Sequence, residues 1–197
     1  MSMDANFKNY MQQLYVAFTA HDAAQDHRLS RYRNIEPDSA LFLAIQIRLK
    51  QAKQILEIGT STGYSTLWLA DAAKATQGHV DTIEIDDSRI IQAKQHAQHL
   101  QLINYIHFYQ GDALIFLQNL KQSYDLILLD AERDAYVQYW QYLSQIMHKQ
   151  GGVLIVDNVL SHANDVADFI KMVEQDNRFV STTLNIGAGL FMVTFRD

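Results

Sequence analysis

Phe7, Tyr10, Leu14 and Phe18 recur three or four residues apart, the spacing of one face of an amphipathic helix. The polar, charged stretch from His21 to Asn34 breaks that period and reads as a loop. Pro37 with Asp38 marks the start of a second helix, along which Leu41, Ile45 and Leu49 repeat every four residues as its apolar face. From Gln54 the pattern changes to short apolar runs that predict strands over 54–58, 79–85, 105–109, 124–129 and 152–156. Helical periods separate them: Tyr64 to Ala75, then Ile90, Ala93, Ala97 and Leu100, then Tyr136, Trp140, Leu143 and Met147. Runs such as LILL and VLIV are apolar at consecutive positions, as strands covered on both faces must be. A helix with Val166, Phe169, Ile170 and Val173 leads to two last strands, 179–186 and 190–195, joined by the hairpin-sized Gly187–Gly189 connection.

Strand–helix alternation of this kind predicts an α/β fold: a mostly parallel, doubly wound sheet with helices on both faces, closing in an antiparallel hairpin. The length, 197 residues, suits a single domain, with 1–53 as a helical N-terminal cap and 54–197 as the α/β core. Ligands of such sheets bind outside the carboxyl ends of the strands, so the residues there carry the functional argument.

Composition narrows the chemistry. The formal net charge is -6, and no face is dense in lysine and arginine, so nucleic acid is not an expected partner. There are no cysteines, which removes disulfides and thiolate metal sites and leaves oxygen or imidazole as metal ligands. The start, MSMDANFKNYMQQLYVAF, lacks the basic head and unbroken apolar core of a signal peptide, and no run is long enough to span a bilayer. The expectation is a cytoplasmic protein without a membrane partner.

The turn Gly59-Thr60-Ser61-Thr62-Gly63 follows the first strand and precedes a helix. Glycine permits a sharp turn and close approach of a ligand to the backbone, and a helix N-terminus suits an anionic group such as a carboxylate. Ser65 adds a hydroxyl. The same letters match G-x-S-x-G, which would make Ser61 a hydrolase nucleophile; the dinucleotide pattern G-x-G-x-x-G fails at Ser61. Glu84, at the end of the next strand, stands where a carboxylate binds ribose hydroxyls. Glu57, inside an apolar strand, needs a partner if buried, and a cofactor bearing an ammonium and a sulfonium supplies one. Gly111-Asp112-Ala113 adds an acceptor for an adenine amino group. Together these acids favour an adenosyl cofactor over a hydrolase.

ILEIGTSTGYSTLWLA, TIEID, GDA, LLDAERDAY and VDNVLSH occur in an order and spacing similar to small O-methyltransferases of the catechol and caffeoyl-CoA O-methyltransferase type. The resemblance runs from about Arg33 to the C-terminus. It implies the Rossmann-like class I methyltransferase fold, seven strands with one antiparallel, and an S-adenosyl-L-methionine-dependent O-methyltransferase acting on a small, catechol-like acceptor. It further implies Ile35 beside the cofactor, Glu57, Gly59, Gly63 and Ser65 around its methionine part, Glu84 on the ribose, and Ile85, Asp112 and Ala113 at the adenine. Asp130 would touch the cofactor and, with Asp157 and Asn158, hold a divalent cation, magnesium foremost. Related small enzymes often pair, which implies a homodimer.

The residues themselves bear on several of these points. Asp130 ends the fourth predicted strand and Asp157-Asn158 the fifth; neighbouring strands lie about 5 Å apart, so the three side chains can converge as a hard, oxygen-donor set. The competing reading is a capped turn beside an ordinary strand-end acid. Arg133 stands where the resembled enzymes typically carry a lysine base. Arginine stays protonated, so Arg133 would stabilise a phenolate and leave the proton to water, Asp130 or His162, unless it is an exposed loop residue. Ala188 replaces a common aspartate. Arg31, Tyr32, Arg33, Tyr136 and His162 are expected around an aromatic or partly anionic acceptor, with the Tyr and Trp stripe after Asp134, at helical spacing, read rather as core or dimer contact. The first helix would pack on its own domain or on a second subunit. A serine hydrolase using Ser61, and a binder of the cofactor without catalysis, stand as the alternatives.

Overall fold

Asp4 caps the first helix, α1 (Ala5–Ala23), by accepting the Asn6 N–H, and the helix buries Phe7, Met11, Leu14 and Phe18. The computed structural model describes residues 4–197, so residues 1–3 of the expected cap lie outside that description. α1 packs on the chain's own core, in the cluster that holds Ile55 and Leu67. It also outlasts the sequence expectation: His21 to Ala23 are helical, and the loop begins later. The reason is a return contact, in which the Asp22 carboxylate accepts the N–H groups of Tyr32 and Arg33 at 2.7 and 2.8 Å while the His21 ring stacks on Tyr32.

Pro37 occupies the first turn of α2 (Pro37–Lys50), where its missing N–H costs nothing. The face expected to be buried is the wrong one. Leu41, Ile45 and Leu49 are exposed, and Ala40, Leu43, Ala44 and Ile47 point inward. Both rows satisfy a four-residue period; the row with two alanines wins because it lets α2 approach α3 (Tyr64–Thr76) and its Ala70 and Ala73.

Seven strands form one sheet in the order β3-β2-β1-β4-β5-β7-β6. They are β1 (Gln54–Ile58), β2 (His79–Glu84), β3 (Ile106–Gln110), β4 (Leu126–Leu129), β5 (Val153–Val156), β6 (Phe179–Leu184) and β7 (Leu190–Phe195). β1 to β5 pair in parallel, and β7 runs antiparallel to both β5 and β6. The predicted strands all exist, with ends shifted by one or two residues. Alternate residues of the central strands feed two cores: Ile55, Leu126, Leu128 and Ile155 pack under α1, α2 and α3, while Leu56, Ile58, Ile127, Leu129 and Val156 pack under the helices of the other face. Those are α5 (Ala113–Asn119), α6 (Tyr136–Ile146) and α7 (Ala163–Glu174). α4 (Asp87–His99) follows β2 and buries Ile90, Ala93 and Ala97. Each fully buried aliphatic side chain contributes about 1.5–3 kcal/mol, which is why these strands read as unbroken apolar runs. No helix among the described residues is long and apolar enough to cross a membrane.

From β1 the chain progresses one way through β2 and β3, then crosses to β4 and β5 on the other side. That reversal opens a crevice above the carboxyl ends of β1 and β4.

Candidate active site

A cavity of about 460 Å³ fills this crevice. Its wall includes Ile35, Gly59, Ser65, Glu84, Ile85, Asp112, Ala113, Asp130, Arg133 and Asn158, so ten of the expected residues meet at one place. Glu57, Gly63 and Asp157 lie behind that wall.

The glycine turn is built by close packing. Gly59 has φ +103°, and a Cβ there would fall 2.0 Å from the Asp130 carbonyl oxygen, so only glycine lets β1 and β4 end side by side. A Cβ on Gly63 would strike Ala93, so this glycine also seats the start of α3 against α4. No side chain caps α3, whose first N–H groups are therefore not taken up by a capping residue, and Ser65 of its first turn lines the cavity. Ser61 is held in the left-handed region (φ 46°), with its hydroxyl donating to the Tyr32 carbonyl at 2.8 Å. No histidine lines the cavity among the described residues, so Ser61 lacks the base a hydrolase nucleophile requires.

Glu57 is fully buried. Its Oε2 accepts hydrogen bonds from the hydroxyls of Thr82, at 2.6 Å, and Thr66, while Oε1 is buried with no partner. Burial pushes its pKa from 4.5 up to about 7, against the lowering effect of the hydroxyls of Ser65, Thr66 and Thr82. Glu84 is arranged differently. Its Oε2 accepts from the Ser61 N–H at 2.8 Å, and its Oε1 accepts from the N–H groups of Ile85 and Asp86. Asp112 caps α5 by accepting from Leu114 and Ile115.

β4 and β5 pair in register, Leu129 opposite Val156, so the next residues, Asp130 and Asp157, face each other. The Asn158 amide donates to Asp130 Oδ1 at 3.2 Å and to Asp157 Oδ2 at 2.8 Å, while Asp157 Oδ1 is buried and unpartnered. Burial pushes both carboxyls up, and the charge of Asp130 pushes Asp157 further; Arg133, Arg33 and the Asn158 amide pull Asp130 back down. The three predicted ligands therefore converge, with Asn158 itself in the left-handed region (φ 65°). The capped-turn alternative leaves the Asp157 oxygen unexplained. A hard divalent cation fits this donor set: it would meet the orphaned oxygen and relieve the repulsion between two acids.

Arg133 is buried along its side chain, not an exposed loop residue; its Nε has no partner, and its nearest acid is Asp165 at 3.9 Å. Of the two readings of Tyr136, the structure takes the core one: it is buried, and its hydroxyl donates to the Ala131 carbonyl and accepts the Ala131 N–H. Arg31 is likewise turned away, donating to the Gln25 carbonyl. His162 lies off the cavity wall with Nδ1 on the Ser161 hydroxyl, and burial with the nearby Arg133 charge lowers its pKa. Tyr32 and Arg33 do reach the cavity.

Sequence reasoning missed Glu132, Tyr139, Arg89 and Asn34, all on the wall. Glu132 is the most informative, since it binds Arg28 at 2.8 Å and Arg33 at 2.6 Å and so ties the 24–36 segment over the site. Its place inside LLDAERDAY was the only available signal. At the far side, Ala188 accepts the N–H groups of Leu160 and Ser161, which anchors the loop after Asn158 to the β6–β7 hairpin.

Residues 1–195 match the family model described as O-methyltransferase. The chain is similar to a catechol O-methyltransferase of Niastella koreensis, at 30% identity over 64% of this chain and 58% of that protein. It is also similar to a catechol O-methyltransferase of Mycobacterium tuberculosis, at 31% identity over 79% of this chain and 68% of that protein. The match thus spans well under the full length of the first relative. Among solved structures, cofactor-bound Rv0187 from Mycobacterium tuberculosis superposes with a TM-score of 0.79 and 26% identity, over 93% of this chain and 89% of that one.

Proposed function

The chain belongs to the O-methyltransferase family, and from that premise we propose that it transfers the methyl group of S-adenosyl-L-methionine to a hydroxyl of a small acceptor, assisted by a divalent cation. The observation that carries this reading is the shared cavity: the uncapped N-terminus of α3 and the acids Glu84 and Asp112 open into the same space as Asp130 and Asn158. In that reading the α3 N–H groups and Ser65 receive the cofactor's carboxylate, and the Glu57 carboxylate, behind the wall with Oε1 unpartnered, attracts its ammonium through its charge. Asp112 and Ala113 border the adenine.

In the reaction the S–CH3 bond breaks as an O–CH3 bond forms, and the acceptor loses one proton to water. Bound on Asp130, Asp157 and Asn158, magnesium would supply Lewis acidity that lowers the pKa of the acceptor hydroxyl. The protein's own part is chiefly orientation, since the attacking oxygen must lie in line with the sulfonium. Arg133, with Nε unpartnered at the cavity, stabilises the developing oxyanion and takes no proton. Arg33, held by Glu132, adds positive charge, which supports an anionic or catechol-like acceptor. The exposed row Leu41, Ile45 and Leu49 supports a homodimer, and light scattering at the monomer mass would remove that element.

Calorimetry with S-adenosyl-L-methionine, followed by methyl-transfer assays on a panel of catechols with and without EDTA, tests the scheme. Expected are cofactor binding, a methylated product, and loss of turnover on chelation that magnesium restores. Binding without product on any acceptor favours the non-catalytic reading. Absence of binding overturns both.

A further inference from the structure

The opposite end of the sheet carries a group that methyl transfer does not use. His79 and Asp81 lie two apart on β2 and so share a face, and His107 on β3 pairs in register with Asp81. One ligand atom from each of these three side chains lies within 4.8 Å of the others, and none of the three lines the active-site cavity. The geometry points to a second metal site here, for a borderline divalent ion of the zinc class.

The distances favour coordination. His107 Nδ1 is hydrogen-bonded to Asp81 Oδ1 at 2.8 Å; two tetrahedral ligands on one ion, with bonds of about 2.1 Å, are about 3.4 Å apart, so the pair needs to open by only about half an ångström. The His79 and His107 rings lie 4.9 Å apart and inclined at 50°, so they do not stack. Ligand atoms on one ion are at most about 4 Å apart, so closure asks only a small side-chain rotation of His79, a half-buried residue opening its strand.

Support behind the ligands favours it as well. Asp81 is buried, and its Oδ2 accepts from the Tyr124 hydroxyl at 2.8 Å and the Gln122 amide at 2.6 Å. These bonds fix the carboxylate with Oδ1 toward the histidines, the outer-shell arrangement that orients a metal ligand. A plain ion pair accounts for Asp81 and His107 but gives no part to His79. Two imidazoles and a carboxylate suit zinc, cobalt or nickel, whereas the Asp130 set offers only oxygen and suits magnesium, so the two sites sort ions by ligand softness. His107 is 57% exposed along its side chain, which leaves room for water as a further ligand. Because β3 is the edge strand, the ion would staple it to β2.

Equilibrium dialysis of the tag-free 197-residue chain against zinc chloride in excess magnesium tests this. One zinc per chain is expected, with the unfolding midpoint rising by roughly 5 °C at a hundredfold excess over Kd. His79→Ala and His107→Ala should each weaken binding at least tenfold, while Asp157→Asn retains it. His79→Ala keeps the Asp81–His107 pair, so an unchanged zinc-free midpoint separates lost ligation from misfolding; if that variant unfolds, cobalt absorption of the intact protein decides instead, through imidazole-ligated bands. Zinc binding that survives both histidine variants, or that disappears with Asp157→Asn, overturns the site. So does a protein that retains no zinc.

Discussion

Two groups of acids sit at the carboxyl end of the same sheet, and they are treated in opposite ways. On the β2–β3 side, backbone N–H groups occupy both oxygens of Glu84 and Oδ1 of Asp112. Glu57, Asp130 and Asp157, at β1, β4 and β5, lie deeper, and Glu57 and Asp157 each keep a buried oxygen with no partner. The first group shapes the cavity wall through its own turns; a ligand there adds to bonds already made. The second group is held at a cost that a cation would remove. Neutralising a hydrogen-bonded acid such as Glu84 and one with an unpartnered buried oxygen such as Asp157 should therefore change stability in opposite directions.

The largest effect is expected at Asp157. Asp157→Asn should lower kcat/KM in magnesium by about a thousandfold, equivalent to roughly 4 kcal/mol of lost charge stabilisation. The ligand-free variant should nonetheless melt above the parent, because asparagine avoids both a buried charge beside Asp130 and the free-energy cost of protonating it. Activity unchanged would break the comparison at its strongest point.

Glu57→Gln sharpens it through pH. A carboxyl raised from 4.5 to about 7 keeps its proton in the folded state after the unfolded state has lost it. Stability therefore declines as pH rises between those values, by about 3 kcal/mol for this residue. Denaturant titrations from pH 5 to 8 should show a shallower decline in Glu57→Gln, together with a tenfold or greater loss of S-adenosyl-L-methionine affinity. Parallel pH profiles for variant and parent would contradict the assignment.

Glu84→Gln should act the other way, destabilising the protein by about 2 kcal/mol, since one oxygen that accepts backbone N–H groups becomes an amide nitrogen that cannot accept them. Chemical denaturation measures it, and a more stable variant would erase the distinction. Asp112→Ala should cost about 1 kcal/mol, the ordinary price of an N-cap, with fraying of α5 detectable by hydrogen exchange.

Much of the site was legible because its residues follow strand ends. Asp130, Asp157 and Asn158 could be placed together once β4 and β5 were taken as neighbours, and the register confirms that pairing. Residues whose role depends on direction were not legible. Tyr136 and Arg133 lie three apart in one motif, yet the tyrosine is buried in the core and the arginine faces the cavity. Glu132 shows no period and no motif of its own, and it matters only because Arg28 and Arg33 reach it from about 100 residues away in the chain.

Periodicity and residue type, which are local properties, settled the strand–helix alternation, the parallel core and the glycine turn after β1 from sequence alone. Tertiary structure decided what depends on neighbours. α2 offered two apolar rows of equal period, and only the approach of α3 chose Ala40 and Ala44 over Leu41 and Ile45. Burial and the supply of N–H groups around each acid, fixed by strands brought together from distant segments, separated Glu84, bonded to backbone N–H groups at both oxygens, from Glu57 and Asp157, each with a buried oxygen unpartnered.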